Sequence, residues 1–151
     1  MSALSPASIT IQRRIEWSDT DASGHWHNTT AFRMIEWAET ALLERLGLLD
    51  EVYRHLPRVH VEADFHRPLE FRDLVDATIV VQDVGTTSLT YGFALDRGGE
   101  RCVTMTVVTA LVQPPGGRRV WSDQQRRLLL ESGPQPAELL ATGDDEVTSG
   151  P

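Results

Sequence analysis

The chain has 151 residues, which is the length of one domain. All 14 of its basic residues are arginines, so it has no lysine amine for a Schiff-base enzyme, a pyridoxal-phosphate enzyme or a P-loop nucleotide hydrolase. The formal net charge of −8 argues against a nucleic-acid partner, because such binding depends on neutralising phosphates.

The first predicted element is a strand over residues 8–17, in which isoleucines recur on one face. A polar segment, residues 18–30, follows it and is longer than a simple connection requires. Long polar loops in small domains often carry function. We therefore expect the active site in this loop.

A long helix is predicted over residues 31–46, because helix formers dominate there, capping residues precede it at 28–30 and Gly47 follows it. Its polar residues form one narrow stripe, made of Arg33, Glu36, Thr40 and Glu44. A surface helix needs an apolar stripe only about 100° wide, and this helix is apolar over most of its circumference. We expect other structure to enclose it.

Four strands are predicted next, over residues 58–67, 74–84, 88–96 and 101–113. Glycines at 85, 98 and 99 lie between the last three and indicate hairpins, hence antiparallel pairing. A short helix is expected from Ser122, where a capping residue precedes helix formers.

The order of elements predicts an α+β fold in which an antiparallel five-stranded sheet wraps around one central helix. Residues 1–133 form the single predicted domain, and residues 134–151, rich in glycine, proline and acidic residues, form a flexible acidic C-terminal tail. Such a sheet leaves its edges and one face poorly covered, so we expect a homodimer or a homotetramer.

A cytoplasmic protein without a membrane partner is expected. No run of residues approaches the roughly 18 apolar residues of a membrane span, and the N-terminus has no signal-peptide pattern. The lone Cys102 agrees with a reducing compartment, because one thiol cannot form an internal disulfide.

Two segments resemble a known family. The first is WSDTDASGHWHN, residues 17–28, followed by TTAFRMIEWA; the second is RPLEFRD, residues 67–73. Both resemble recurring stretches of the 4-hydroxybenzoyl-CoA thioesterase-like acyl-CoA thioesterases, in the same order along the chain. The resemblance implies a hotdog fold and hydrolysis of an acyl-CoA or acyl-carrier-protein thioester, with coenzyme A as part of the substrate and no separate cofactor.

By position, Asp21 corresponds to the catalytic aspartate of that family, which acts as a nucleophile or as a general base for water. The backbone N–H of Asn28 corresponds to its oxyanion contact, and the free N–H groups at a helix start suit that role. A thiol has a pKa of about 8.5, so a thiolate leaves readily and one carboxylate suffices. An aspartate in a polar loop also often caps a turn, so that role stays open for Asp21, and Asp19 is expected to be structural.

The residues predicted to bind substrate are Gly24, His25, His27, Thr30 and Arg67. Gly24 permits close approach of the backbone to the substrate. Positions 25, 27 and 30 depart from the family, which commonly has an apolar residue, an aromatic residue and an asparagine there. Phosphates of coenzyme A are candidates for contact with Arg67, and with Arg118 and Arg119.

Aromatic residues at 26, 32 and 65 fit either an aryl group or a long acyl chain. No metal site is predicted, because the pair His25 and His27 lacks a third ligand nearby. Three alternatives stay open: a hydratase or dehydratase that uses an Asp/His pair, a noncatalytic thioester-binding protein, and catalysis by a helix glutamate, Glu36 or Glu39, as in another hotdog branch.

Overall fold

Five strands form one antiparallel sheet in the computed structural model, which describes residues 4–136. The strands are β1 (Ser8–Arg14), β2 (Arg58–Phe65), β3 (Leu74–Val84), β4 (Ser88–Arg97) and β5 (Glu100–Ala110). Their order across the sheet is β1-β3-β4-β5-β2, so β1 and β2 are the two edge strands. The predicted five-stranded antiparallel sheet is confirmed.

Two hairpins join the three central strands, β3 to β4 and β4 to β5. The second hairpin turns at Gly98 and Gly99, whose φ angles are +56° and +83°. Residues with side chains rarely adopt such angles, which explains the glycines. Along β4, the alternating residues Leu89, Tyr91, Phe93 and Leu95 all point into the core.

Helix α1 (Thr30–Arg45) lies across one face of the sheet and contacts β1 and β3. Its buried face contains Ala31, Met34, Ile35, Ala38, Leu42 and Leu43. Full burial of each large aliphatic side chain stabilises the fold by about 1.5–3 kcal/mol. The polar stripe of α1, made of Arg33, Glu36, Thr40 and Glu44, faces solvent, as the spacing of these residues predicts.

The expectation that the rest of α1 is enclosed is wrong for one flank in this single chain. Phe32 is 42 % exposed, and Trp37 is only partly buried. Phe32 lies one turn before Glu36, on the side of the helix that points away from the sheet. One sheet can cover only one side of a helix, so this flank stays open.

β1 and β5 each end three residues earlier than predicted, and the other strand bounds differ from the prediction by at most two residues. β1 ends at Arg14, and residues Trp17–Asp19 form a short 3-10 turn instead of continuing the strand. β5 ends at Ala110, after which Val112 pairs with Arg118 across a tight turn. In both places, local turn hydrogen bonds replace the strand ladder.

Two further helices complete the fold. α2 (Leu49–Val52) follows α1, and α3 (Asp123–Glu131) packs on β3. Ser122 caps α3: its hydroxyl accepts from the Gln125 N–H at 3.1 Å, and its own N–H donates to the Gln125 side chain at 3.0 Å. Across residues 4–136, none of the helices combines the length and apolarity needed to cross a membrane.

The C-terminal end of the described chain is attached to β1. Pro134 bridges to Ser8, and the Gln135 N–H donates to the Ser8 carbonyl at 3.1 Å. The rest of the predicted acidic tail, from residue 137 onwards, lies outside the described residues.

Candidate active site

Asp19 holds the loop between β1 and α1 against the helix. Its side chain is nearly buried, and its carboxylate accepts hydrogen bonds from the Glu16 N–H at 2.8 Å and from the Arg33 guanidinium of α1. Its carbonyl accepts from the His27 N–H at 2.7 Å and from the Thr30 hydroxyl at 3.3 Å. These four contacts give Asp19 a structural role.

Asp21 lies at the exposed tip of the same loop, in a tight turn. Its N–H donates to the His25 carbonyl at 2.9 Å, and its carbonyl accepts from the Gly24 N–H at 3.1 Å. Gly24 has a φ of +85°, so the turn itself requires glycine. The Asp21 Oδ1 accepts from the Ser23 N–H at 2.8 Å and from the Ser23 hydroxyl.

The carboxylate of Asp21 therefore caps its turn with one oxygen only. No hydrogen-bond donor among the described residues reaches the other oxygen, Oδ2. The Ser23 hydroxyl, then the Ser23 N–H, lower the pKa of Asp21, and the charges of His27 and His25 add to this effect. Asp21 is thus ionised at neutral pH, as a nucleophile or a general base must be.

A surface cleft of about 360 Å³ opens beside Asp21. Two segments line it: the loop before α1 contributes Asp21, His25, Trp26 and Asn28, and the end of β2 with the residues after it contributes Phe65, His66, Arg67 and Pro68. The rings of Trp26 and Phe65 meet edge to face, with centroids 6.4 Å apart. The structure therefore brings together four of the predicted site residues, Asp21, His25, Asn28 and Arg67.

The backbone N–H of Asn28 donates to no protein acceptor within residues 4–136. The Thr29 N–H likewise has no acceptor among the described residues, whereas the next two N–H groups are engaged: Thr30 donates to the His27 carbonyl at 2.9 Å, and Ala31 donates to the Asn28 carbonyl at 3.1 Å. α1 begins at Thr30, so the free N–H lies at the positive end of the helix dipole. An oxyanion in the cleft would find a donor there.

Three predicted substrate-binding residues do not line the cleft in this chain. Thr30 is 1 % exposed, and its hydroxyl donates to Asp19. Gly24 forms the turn of Asp21, and His27 is exposed on the loop with its N–H bonded to Asp19. Their contact with substrate stays a prediction.

The arginines predicted to bind phosphates lie at two ends of the sheet. Arg67 pairs with Glu100 at 3.1 Å, just beyond the end of β4. Arg118 lies 3.4 Å from the Thr87 hydroxyl, just before β4 begins. A strand of 10 residues spans roughly 33 Å, so within one chain Arg118 and its neighbour Arg119 cannot share a phosphate with Arg67.

The helix glutamates lie apart from the cleft. Glu39 pairs with Arg58 at 2.9 Å, and both line a second cavity of about 380 Å³ together with Glu36. Glu39 lies nine residues after Thr30, which is about 13 Å along the helix. Burial, and then the Glu39 carboxylate, raise the pKa of Tyr91 well above its ordinary value, so its hydroxyl is neutral.

Sequence reasoning missed His66. It follows β2, its N–H donates to the Cys102 carbonyl at 2.8 Å, and its Nε2 lies 3.0 Å from the Thr104 hydroxyl. The only signal was its position before Arg67 in the second family-like segment. Its place in the cleft follows from the pairing of β2 with β5.

Within the described part of the chain, no group of three or more histidine, cysteine, aspartate or glutamate residues is arranged to hold a metal ion.

Comparison with known proteins identifies the family. The family model of the thioesterase-like superfamily matches residues 15–139, which include the loop, α1 and strands β2 to β5. The chain is 26% identical over 121 residues to the uncharacterized protein YsmA of Bacillus subtilis, covering 78% of this chain and 82% of that protein.

Two further comparisons agree. A 1,4-dihydroxy-2-naphthoyl-CoA hydrolase of Prochlorococcus marinus is 26% identical over 140 residues, with 83% of this chain and 92% of that protein covered. The structure of a predicted thioesterase from Bacillus stearothermophilus superposes with a TM-score of 0.74 at 22% identity, covering 81% of this chain and 93% of that one. The chain therefore belongs to the thioesterase-like superfamily, and it is a thioester hydrolase with the hotdog fold.

Proposed function

We propose that this protein hydrolyses acyl-CoA thioesters, with Asp21 as the essential carboxylate and the Asn28 backbone N–H as the oxyanion donor. One observation carries the proposal. The same cleft contains an ionised carboxylate with an uncommitted oxygen and a free N–H at the start of α1. These are the two groups that thioester hydrolysis needs, a base or nucleophile and a donor for the developing oxyanion.

The reaction follows from these two groups. The thioester carbonyl oxygen accepts from the Asn28 N–H, and either Asp21 Oδ2 or a water deprotonated by it attacks the carbonyl carbon. The carbon–sulfur bond then breaks and the thiolate leaves, which its low basicity permits without a general acid. In the nucleophilic route, water hydrolyses the acyl-aspartate anhydride in a second step. Both routes yield the free acid and coenzyme A.

We further propose that the acyl group is aromatic. Trp26 and Phe65 offer ring surface at the cleft, and His25 and His66 offer polar atoms for ring hydroxyls. The name of the Prochlorococcus marinus relative, a 1,4-dihydroxy-2-naphthoyl-CoA hydrolase, supports a hydroxylated aryl substrate. An acyl-carrier protein as the thiol carrier is the alternative.

Hydrolysis of a panel of acyl-CoAs by wild type and Asp21→Asn tests both proposals. We expect the aryl thioesters to have higher kcat/KM than linear ones, and the variant to lose at least a hundredfold in kcat. Asp123→Asn, which changes an exposed carboxylate at the start of α3, serves as the control. Unchanged turnover in folded Asp21→Asn would contradict the assignment of Asp21. Assay of an enoyl-CoA for hydration separates hydrolase from hydratase.

We also propose that the protein works as a homodimer or homotetramer in the cytoplasm. β2 is an edge strand whose Val59 and Phe65 are 55 % and 43 % exposed, and Phe32 of α1 is also exposed. Unpaired edges with exposed apolar residues favour association with a second copy. Light scattering of wild type and of Val59→Lys tests it: the wild type should be an oligomer, and the variant should shift toward monomer.

A further inference from the structure

Three side chains form a line of polar contacts that ends on Asp21. The Ser23 hydroxyl contacts Asp21 Oδ1, and the same Ser23 Oγ lies 3.3 Å from His25 Nδ1. On the other side of the imidazole, His25 Nε2 lies 4.0 Å from Glu70 Oε1. Glu70 comes from the connection after β2, and its backbone bridges to that of His25.

Donor and acceptor roles in this line are fixed by chemistry. An ionised carboxylate can only accept, so the single hydroxyl proton of Ser23 is donated to Asp21. The lone pairs of Ser23 Oγ are then left for donors, so His25 Nδ1 carries the proton on that side of the ring. The His25 backbone N–H also points at Ser23 Oγ, at 3.4 Å.

We propose that Ser23 and His25 are positioning residues that hold Asp21 by Oδ1 and leave Oδ2 directed to the thioester. This inference rests on the proposed function. It goes further in assigning Ser23 as a donor to the catalytic carboxylate and not as a nucleophile. The other charged or titratable groups around Asp21 are His27 on the loop, His66 and Arg67 after β2, and Glu70.

Removal of the Ser23 hydroxyl has two consequences. The carboxylate loses one of its two donors and rotates more freely, which lowers kcat while substrate binding through the rest of the cleft persists. The lost donor also stabilised the ionised form, so the pKa of Asp21 rises and the acid limb of the kcat/KM profile moves to higher pH.

The test compares wild type with Ser23→Ala, Ser23→Thr and His25→Ala, using Ser18→Ala, which changes an exposed serine of the same loop, as the control. We expect Ser23→Ala to lower kcat roughly tenfold to a hundredfold with KM within about twofold. Ser23→Thr, which keeps the hydroxyl, should recover most of kcat, whereas His25→Ala, which removes the Nδ1 contact with Ser23, should lower kcat. Ser18→Ala should match wild type.

A second readout needs no substrate. Carboxyl-carbon NMR follows the titration of Asp21 in wild type, Ser23→Ala and His25→Ala, and we expect its midpoint to move to higher pH in both variants. An unchanged midpoint and acid limb in both variants would overturn the positioning role. Loss of activity in Ser23→Ala as deep as in Asp21→Asn, with an unmoved midpoint, would instead make Ser23 a nucleophile and also overturn it.

The two proposals fail in different ways. If Asp21→Asn is inactive while Ser23→Ala equals wild type in rate and titration, the positioning role is wrong and the thioesterase assignment of Asp21 stands. If wild type hydrolyses no thioester while the Asp21 midpoint moves in Ser23→Ala, the contact with Asp21 is real and the proposed function is wrong, which also overturns positioning for catalysis.

Discussion

Arg33 and Asp19 join the loop between β1 and α1 to that helix through an ion pair in which only the Asp19 side chain is buried. The Asp19 side chain is 4% exposed, whereas Arg33 is 49% exposed. Loss of Arg33 would leave a carboxylate out of water with one remaining donor, the Glu16 N–H. Desolvation of that carboxylate, not the strength of the pair, decides what a substitution costs.

Arg33→Ala should therefore lower the free energy of unfolding by about 1–3 kcal/mol, a range reduced from that of a fully buried pair because Arg33 is half exposed. Urea unfolding measures this change. The control is Arg101→Ala, which removes a partner of Asp96 at 2.8 Å from an exposed pair and should cost less than about 1 kcal/mol. Equal losses of unfolding free energy in the two variants would show that the burial of Asp19 does not increase the cost of removing its partner.

The proposed oxyanion role of Asn28 belongs to its backbone N–H and can be tested separately from its side chain. Asn28→Ala keeps the N–H and should retain kcat within about threefold, whereas Asn28→Pro removes the donor and should lower kcat about a hundredfold. Proline is compatible with a position near a helix start. Circular dichroism and the melting temperature check that the proline variant folds. Equal rates for both variants would assign the oxyanion contact elsewhere.

Gly24 should be sensitive to any side chain because of its backbone angle. A Cβ at Gly24 meets no atom within 4 Å, so only the φ of +85° opposes it. Gly24→Ala should cost about 1 kcal/mol in unfolding free energy and reduce kcat by distorting the turn of Asp21. Gly116→Ala is the matched control, since a Cβ there also meets nothing and its φ is not positive. If both variants are equally stable, the turn is not strained.

Arg45 should stabilise the attachment of the C-terminal segment to β1. Its guanidinium donates to the carbonyls of Ser8 at 2.9 Å, Gly133 at 2.7 Å and Ser132 at 2.9 Å. Arg45→Ala should cost about 2 kcal/mol, and Arg45→Lys should restore little, because one ammonium cannot span these acceptors.

Hydrogen exchange measures the effect of Arg45 locally, because the Ser8 and Gln135 N–H groups bond between β1 and the C-terminal segment. Their exchange should accelerate in Arg45→Ala. Arg54→Ala provides the control, since the exposed Arg54 contacts the neighbouring Tyr53 ring. Unchanged protection of both amides in Arg45→Ala would mean that backbone pairing alone holds the segment.

The sequence by itself determined the order of elements, the antiparallel hairpins and the loop that carries Asp21. These features depend on neighbours in the chain: glycines mark the turns, the period of apolar residues marks the faces, and a long polar loop before a helix marks a candidate functional site. The family-like motif of the loop and the helix start were therefore visible without coordinates.

Only the tertiary structure decided which distant residues join Asp21. The pairing of β2 with β5 and the bridge between His25 and Glu70 bring His66 and Arg67 to the cleft. Burial of Thr30 against Asp19 removes its hydroxyl from the cleft, although it lies only nine residues from Asp21. Periodicity encodes which face a residue occupies, but the meeting of separate segments depends on strand register and loop path, which no local pattern contains.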